Sequence, residues 1–221
     1  DRDWSSDVCS SDLLRDVAVS RKSGYPLDTS LPTDAAVKVA EEIEKLSVGV
    51  GVNYMFAGRS LYGMTNFPGR LTVELSDPTA GGWSGSDLVD DIIEMKAASK
   101  AVGFRGPWRV YHGSAWDGYF EKDYSASKGT NTLWDRIKAI QGIKSIESLD
   151  FMPAEDIVLI QMDPRVARAV TAMPITTLQW EQQGGMEINL KVMAIMVPEF
   201  RCDFYGGTGL IHGTVPGGFS S

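Results

Sequence analysis

Histidine and cysteine, on which most metal sites and much nucleophilic catalysis depend, are scarce in this sequence. The 221 residues include two histidines, His112 and His212, and two cysteines, Cys9 and Cys202. No closely spaced set of these residues exists, so a tetrahedral zinc site is not expected. If Cys9 is set aside with the first 13 residues, as argued below, Cys202 has no cysteine to pair with. A single thiol favours a reducing compartment or a redox-indifferent protein.

Motifs that hold a catalytic serine or a phosphate are missing as well. There is no G-x-S-x-G elbow, and Gly206-Gly-Thr-Gly209 lacks the following lysine of a phosphate loop, so this segment predicts a turn. The acidic residues Asp87, Asp90, Asp91 and Glu94 fall on one predicted helical face, which we interpret as solvated or as a subunit contact. The sequence therefore predicts no catalytic residue, no metal site and no cofactor.

Long apolar runs and clustered basic residues are also lacking. No stretch approaches the roughly 18–20 apolar residues of a membrane helix, so we expect no membrane span. The net charge of −8 and the pI near 4.8 argue against tight binding to a nucleic-acid backbone, which depends on clustered Lys and Arg. The 43% hydrophobic content is that of an ordinary globular protein with a sizeable core.

The first 13 residues are set apart from the fold prediction. Residues 3–13 match, residue for residue, the translation of a common high-throughput sequencing adapter, and they show neither helix nor strand periodicity. A native tail rich in Ser and Asp is the alternative interpretation. We expect that the natural N-terminus is missing and that the sequence is an assembled metagenomic fragment.

Three elements are predicted before residue 107. An apolar stripe predicts a helix from the N-cap Asp34 through Lys45. Two arms, 60–65 and 70–75, flank the turn Asn66–Gly69 and predict a long hairpin that needs a neighbouring surface to be stable. The most regular helical pattern is capped by Ser84 or Ser86 and stopped by Gly103.

The rest of the chain predicts a compact α/β unit followed by strands. The predicted elements are strands over 108–112 and 157–162, helices over 114–124, 132–141 and 163–172, and closing strands over 176–181 and 186–197.

This order of elements resembles that of tailed-phage major capsid proteins of the Hong Kong 97 type and of encapsulin shells. The likeness covers roughly residues 48–214 and is carried by short motifs. These are Leu61-Tyr-Gly-Met-Thr-Asn-Phe-Pro68, Trp83 with Asp90-Asp-Ile-Ile93, Gly106-Pro-Trp-Arg-Val-Tyr111, Leu178-Gln-Trp180, Gly185-Met-Glu-Ile-Asn-Leu-Lys-Val-Met-Ala-Ile195 with Pro198, and the segment from Tyr205 to His212.

The resemblance implies an α+β chain of the Hong Kong 97-like capsid fold, with an extended hairpin loop, a long spine helix, a peripheral domain and an axial domain. The implied divisions are 1–13 adapter artefact, 14–47 N-terminal remnant, 48–82 extended loop, 83–106 spine helix, 107–174 axial domain, 175–214 peripheral strands and 215–221 tail.

The implied function is structural. Copies of the chain would form pentamers and hexamers of an icosahedral shell around phage DNA, in a virion capsid assembled in the bacterial cytoplasm. Scaffold and portal proteins are the further partners implied, with the DNA enclosed but not bound by sequence. The extended loop would reach a neighbouring copy through Tyr62, Met64, Asn66, Phe67, Pro68, Arg70, Leu71 and Val73.

Two alternatives remain at this point. One is an encapsulin shell that encloses an enzyme cargo. The other is a small hydrolase or ligand-binding domain, which predicts a concave pocket around His112 or His212. Some capsids of this fold join subunits covalently through a lysine of the extended loop. Since residues 48–82 contain no lysine, we expect non-covalent assembly.

Overall fold

The computed structural model describes residues 8–13, 30–50, 55–56, 58–123, 131–182 and 187–219. The chain divides into two units. The first unit comprises Asp1–Glu44 and Ala169–Val197, and the second comprises Lys45–Arg168 and Pro198–Ser221. Helices and strands make up both units, so the predicted α+β class is confirmed.

The first unit contains most of a helix and of a three-stranded sheet. Helix α1 spans Ser30–Val48, and the sheet has the order β1 (Val8–Leu13), β9 (Glu187–Phe200), β8 (Ala167–Gln182). The buried side chains of Ala35, Val39 and Val192 join the helix to β9. The first two are four residues apart and therefore lie on one face of the helix.

One prediction for this unit, the N-cap of its helix, is wrong. The segment set apart from the fold prediction contains β1, which pairs antiparallel with β9 from Val8 opposite Val192 onwards, and its interpretation as adapter-derived stays a prediction. Strand pairing uses main-chain hydrogen bonds that any sequence offers, so the missing periodicity did not exclude it. Asp34 is not an N-cap, because α1 begins at Ser30. Pro32 is compatible with this earlier start, since the first helical turn needs no N–H donor.

The second unit is built around a five-stranded sheet in the order β4-β10-β7-β5-β6. Its strands are β4 (Leu71–Glu74), β10 (Leu210–Thr214), β7 (Ile157–Gln161), β5 (Trp108–His112) and β6 (Ile143–Ser148). The central strand β7 runs antiparallel to both of its neighbours, and all five of its residues are buried. The continuous apolar run Ile-Val-Leu-Ile is typical of such a strand. β10 lies in this sheet, and the division of the chain into an axial domain and peripheral strands stays a prediction.

Helix α2 (Gly85–Ala101) matches the predicted spine helix closely. Its first turn is closed by Ser84, whose backbone N donates to Asp87 Oδ2 at 2.7 Å. Gly103, with φ 92°, follows its end. Leu88, Ile92 and Met95 are fully buried in the main core of this unit.

The short helices are less regular than predicted. The segment 114–124 contains a 3₁₀ turn, Ser114–Trp116, followed by α3 (Asp117–Phe120). Helix α4 spans only Leu133–Lys138.

The predicted helix over 163–172 is wrong. Asp163 O accepts hydrogen bonds from Val166 N at 2.8 Å and Ala167 N at 3.0 Å, which closes a single turn. From Ala167 the chain enters β8, so the predicted closing strand is nine residues longer at its start. Pairing with β9 outweighs the local signal for a helix start.

The predicted hairpin of 60–65 with 70–75 is also wrong. β4 pairs instead with β10, in parallel, with Leu71 opposite Ile211. The structure does have a hairpin in this region, but about ten residues earlier. There β2 (Met55–Phe56) and β3 (Arg59–Ser60) pair antiparallel.

Candidate functional site

The loop from Leu61 to Arg70, in which most of the predicted contact residues lie, is attached to the end of α1. Met64 N donates to Ser47 O at 2.9 Å, and Thr65 N donates to Val48 O at 2.9 Å. Met64 is buried in a second core cluster of this unit. Gly63 allows the close approach, since a Cβ there would lie 2.2 Å from Gly49 N. This part of the loop belongs to the folded core of the subunit.

The turn that follows is held by its own side chains. Asn66 Oδ1 accepts from Gly63 N at 2.7 Å. Phe67 packs against Phe200, with ring centroids 6.0 Å apart. Tyr62 and Pro68 are exposed, whereas Asn66 and Phe67 are partly buried. The turn predicted from Asn66 to Gly69 is present, but it does not connect two paired strands.

The eight predicted contact residues do not form one face. Leu71 and Val73 lie on β4 and pack partly against the main core. Met64 is buried in the other cluster, and Arg70 is bound to a histidine. Tyr62 and Pro68 are the exposed members of the set. The role of the eight in contacts between subunits stays a prediction.

Arg70, His212 and Asp156 form a chain of polar contacts in which His212 is buried and the other two are partly buried. Arg70 Nε donates to His212 Nδ1 at 3.2 Å, and His212 Nε2 lies 2.8 Å from Asp156 Oδ2. Because a guanidinium only donates, Nδ1 is the acceptor, so Nε2 carries the proton and donates to the carboxylate. Both ring nitrogens of His212 therefore have partners. The nearby thiol of Cys202 contacts the loop, with its Sγ 3.9 Å from Gly69 O. The arrangement joins the base of the loop to β10 and to the residue before β7.

His112 is held differently. It is 1% exposed, stacks on Phe120 with centroids 4.4 Å apart, and has its Nδ1 3.2 Å from Gly113 O. Its buried Nε2 has no partner among the described residues. Burial lowers the pKa of His112, although the Gly113 carbonyl and the Asp117 carboxylate act in the opposite direction.

The sequence predicted that the acidic residues of α2 share one face that is solvated or in contact with another subunit. In the structure these residues differ in exposure and do not form one uniform face. Asp91 is buried, and its Oδ2 accepts from Ser76 N at 2.8 Å. Burial raises the pKa of its carboxyl, partly countered by the hydrogen bonds from Ser76. Asp90 and Glu94 are exposed. Asp91 therefore fixes the loop after β4 against the helix.

The described residues contain no cluster of three or more His, Cys, Asp or Glu side chains that could hold a metal ion. Among the same residues, no helix is long and apolar enough to cross a membrane. Described residues form two surface hollows of about 610 Å³ and 340 Å³, and a histidine lines neither of these two. Burial and the nearby Asp203 raise the pKa of the exposed Cys202 thiol, which leaves it poorly nucleophilic.

Two elements expose apolar surface. The hairpin of β2 and β3 pairs with no other strand among the described residues, and its Met55 is 62% exposed. The pair β8 and β9, which we call the ribbon, exposes five large apolar side chains at Val170, Ile175, Leu178, Trp180 and Ile195. Isolated exposed apolar residues are common, but strand alternation places Val170, Leu178 and Trp180 on one face of β8.

The sequence also matches a known family. The model described as "Family of unknown function (DUF6260)" matches residues 13–213, which is most of the chain. The chain belongs to this family. The DUF6260 match begins at the last residue of the segment interpreted as adapter-derived. No curated protein matches the chain in sequence.

A virus-like particle and two capsids are among the solved structures similar to this DUF6260 protein. The virus-like particle from Pyrococcus furiosus aligns with a TM-score of 0.68 and 14% identity, over 93% of this chain and 74% of that one. The capsid of Myoviridae phage XM1 aligns at 0.71 and 12%, over 96% and 72%. The capsid of an empty GTA particle aligns at 0.60 and 12%, over 96% and 71%. At such identities the likeness concerns the fold, and the predicted Hong Kong 97-like capsid fold is confirmed.

Proposed function

We propose that this protein is a structural major capsid protein whose copies assemble into an icosahedral shell around phage DNA. The observation that carries the proposal is the exposed apolar surface of the ribbon, on a fold shared with the capsid of phage XM1. Burial of one such side chain between copies contributes about 1.5–3 kcal/mol, and Val170, Leu178 and Trp180, which strand alternation places on one face of β8, together supply a substantial contact. The contact repeats in every copy, because closed symmetry uses the same surfaces throughout.

The hairpin of β2 and β3 supports the same proposal. Two strands of two residues each are too short to be stable in water, and an exposed Met55 adds nothing to the subunit's own core. In an assembled shell this hairpin lies on the adjacent copy, which buries Met55. We place the extended-loop contact here, together with the exposed Tyr62 and Pro68.

The partners of the shell follow from this function. Pentamers and hexamers of this chain make up the shell, with scaffold and portal proteins as assembly partners in the bacterial cytoplasm. The net charge of −8 suits a container whose wall does not hold its nucleic acid tightly.

Electron microscopy of the expressed chain tests the proposal directly. We expect uniform closed particles, and a matching mass of many subunits in sedimentation. A chain that stays a folded monomer at about 0.1 mM, well above the usual affinity of stable interfaces, would contradict it.

An encapsulin shell is the second candidate, favoured by the likeness to the virus-like particle from Pyrococcus furiosus. The contents of particles purified from the native source separate the two. DNA that survives DNase treatment and is released by denaturation supports the capsid. A co-purifying enzyme inside nucleic-acid-free particles supports the encapsulin.

A further inference from the structure

Two aromatic side chains stand at the tip of the turn between β9 and β10. Phe204 is 96% exposed and Tyr205 is 92% exposed, and their rings meet edge to face with centroids 5.6 Å apart. Neither ring contributes to a core cluster of the subunit. Large aromatic side chains at such positions are the usual anchors of protein interfaces.

Hydrogen bonds within the turn hold Phe204 and Tyr205 in place. Asp203 Oδ1 accepts from Tyr205 N at 3.0 Å and from Gly207 N at 2.6 Å. Asp203 N donates in turn to Gly207 O at 2.7 Å, and the fully buried Thr208 donates through Oγ1 to Arg201 O at 2.9 Å. A turn held by four such bonds loses little conformational entropy when it binds.

A groove of about 610 Å³ lies directly beside this turn. Its lining includes the apolar Val102 and Phe104 and three arginines, Arg105, Arg165 and Arg201. Arg165 is paired with Asp163 at 3.2 Å and Arg201 with Glu199 at 2.9 Å. These ion pairs use the edge of each guanidinium, and its planar face stays suited to stacking against an aromatic ring.

We propose that the Phe204–Tyr205 tip of one copy docks in this groove of a second copy, and that the contact is reciprocal about a two-fold axis. Asp203 begins the turn and also lines the groove, so anchor and receptor lie side by side on one surface. A surface that carries both halves of a contact is self-complementary under a two-fold rotation. The inference rests on the proposed shell function and specifies one contact within it.

Chemical complementarity favours a second copy over another partner. An uncharged aromatic pair fits a groove with apolar walls and guanidinium faces, whereas the overall charge of −8 disfavours general adhesion between copies. The tip therefore provides an attractive contact between two copies whose net negative charges otherwise disfavour association. If the groove takes a different protein, the trapped dimer described below should stay at the control level.

Disulfide trapping between two single-cysteine variants tests the contact. In a background of Cys9→Ser and Cys202→Ser, one preparation carries Tyr205→Cys and the other, with an affinity tag, carries Arg105→Cys. Mixing, mild oxidation and a non-reducing gel should give the tagged–untagged dimer about tenfold above the control with Lys138→Cys in place of Arg105→Cys, as expected of a specific contact. Lys138 is exposed on α4 and does not line the groove.

Removal of the tip gives an independent readout. Phe204→Ser with Tyr205→Ser should lower the yield of particles about tenfold or more, as for loss of an interface anchor, with unchanged circular dichroism because both side chains are exposed. The swap Phe204→Tyr with Tyr205→Phe keeps the aromatic surface and should assemble normally.

The outcomes separate this inference from the proposed function. If the unaltered chain forms particles but the trapped dimer stays at the control level, the two-fold contact is wrong and the shell stands. Normal assembly of the double serine variant also overturns the contact. If the unaltered chain forms no particles, the proposed function fails, and trapping in the mixed soluble chains still decides the contact.

Discussion

The two histidines illustrate how one residue type takes opposite roles in a single subunit. His212 connects a cation to an anion, with Arg70 on Nδ1 and Asp156 on Nε2. His112 lies among aromatic rings, and its Nε2 has no partner among the described residues. Substitution of His212 removes the partner that two half-buried groups share, whereas protonation of His112 places a charge in the core.

His212→Ala should therefore destabilise the subunit by about 1–3 kcal/mol, because Arg70 and Asp156 lose their common partner, although Arg70 keeps its bond to Phe67 O. Thr72→Ala is the matched control, since Thr72 faces His212 across the β4–β10 pairing but is exposed. We expect it to change the free energy of unfolding by less than about 0.5 kcal/mol. Urea titration of the unassembled chain measures both, and equal losses would contradict a special role for His212.

His112 predicts a loss of stability in mild acid. Because burial lowers its pKa in the fold, the unfolded chain binds a proton near pH 6.5 that folded His112 resists. This contribution to stability is complete above pH 6.5 and is lost as the pH falls below it, by up to about 1.4 kcal/mol for one pH unit. His112→Gln, which does not titrate, should lose less stability than the unaltered chain between pH 7.5 and 5.5. The difference between the two urea-derived changes is the quantity to measure, and equal changes would exclude His112 as the cause.

At the scale of elements, the ribbon is the feature that a lone subunit does not account for. Its strands have 16 and 14 residues, well beyond the usual length of about 5–6, and their exposed apolar side chains are not used by the subunit's own core. Long strands with apolar surface outside the core are expected where a neighbouring copy completes the packing.

A pair of charged substitutions tests the ribbon. Leu178→Asp with Trp180→Asp should reduce particle yield about tenfold or more, because both side chains are on one face of β8 and a charge buried between copies is costly. Gln179→Asp, on the intervening residue that points to the other face, should assemble normally. Sedimentation reports assembly, and circular dichroism confirms folding. Normal particles from the double variant would show that this face stays outside the contacts.

The elements also show what the sequence could and could not predict. Helix α2 was predictable because its caps Ser84 and Gly103 and its stripe of Leu88, Ile92 and Met95 are local signals. The partner of β4 was not, since alternation of Leu71 and Val73 reports which face is apolar and says nothing about pairing.

The candidate contact residues also include some that the sequence could not predict. The burial of Met64 and the hydrogen bond of Arg70 to His212 depend on segments that are distant in sequence. The motif 61–68 carries no signal that tells whether its side chains are exposed or packed. The Phe204–Tyr205 tip was missed because two adjacent aromatics without periodicity are equally typical of a strand end. The run Asp203 to Gly207, with an acid and two glycines, was the available signal for a tight turn.

At the scale of the whole molecule, the contacts proposed here are all non-covalent. Residues 48–82, which include the β2–β3 hairpin, contain no lysine to form an amide bond with a neighbouring copy. The shell should therefore depend on repeated apolar contacts, each weak alone and effective through closure.

Mature particles boiled in denaturant should accordingly run as a single band near 24.1 kDa on a reducing gel. Ladders that persist after reduction would reveal covalent links between subunits and contradict this expectation. The same particles cross-linked with glutaraldehyde are the positive control for the appearance of a ladder.

The pairing of β4 with β10 has a consequence for synthesis. Arg70 and His212 are separated by 142 positions, so the β4 edge has no partner until the ribosome has made the chain through residue 214. Contacts between such distant segments form late and make folding slow. The five-stranded sheet is thus completed only after β10 has been made, and until then the unpaired β4 edge is open to pairing with another chain.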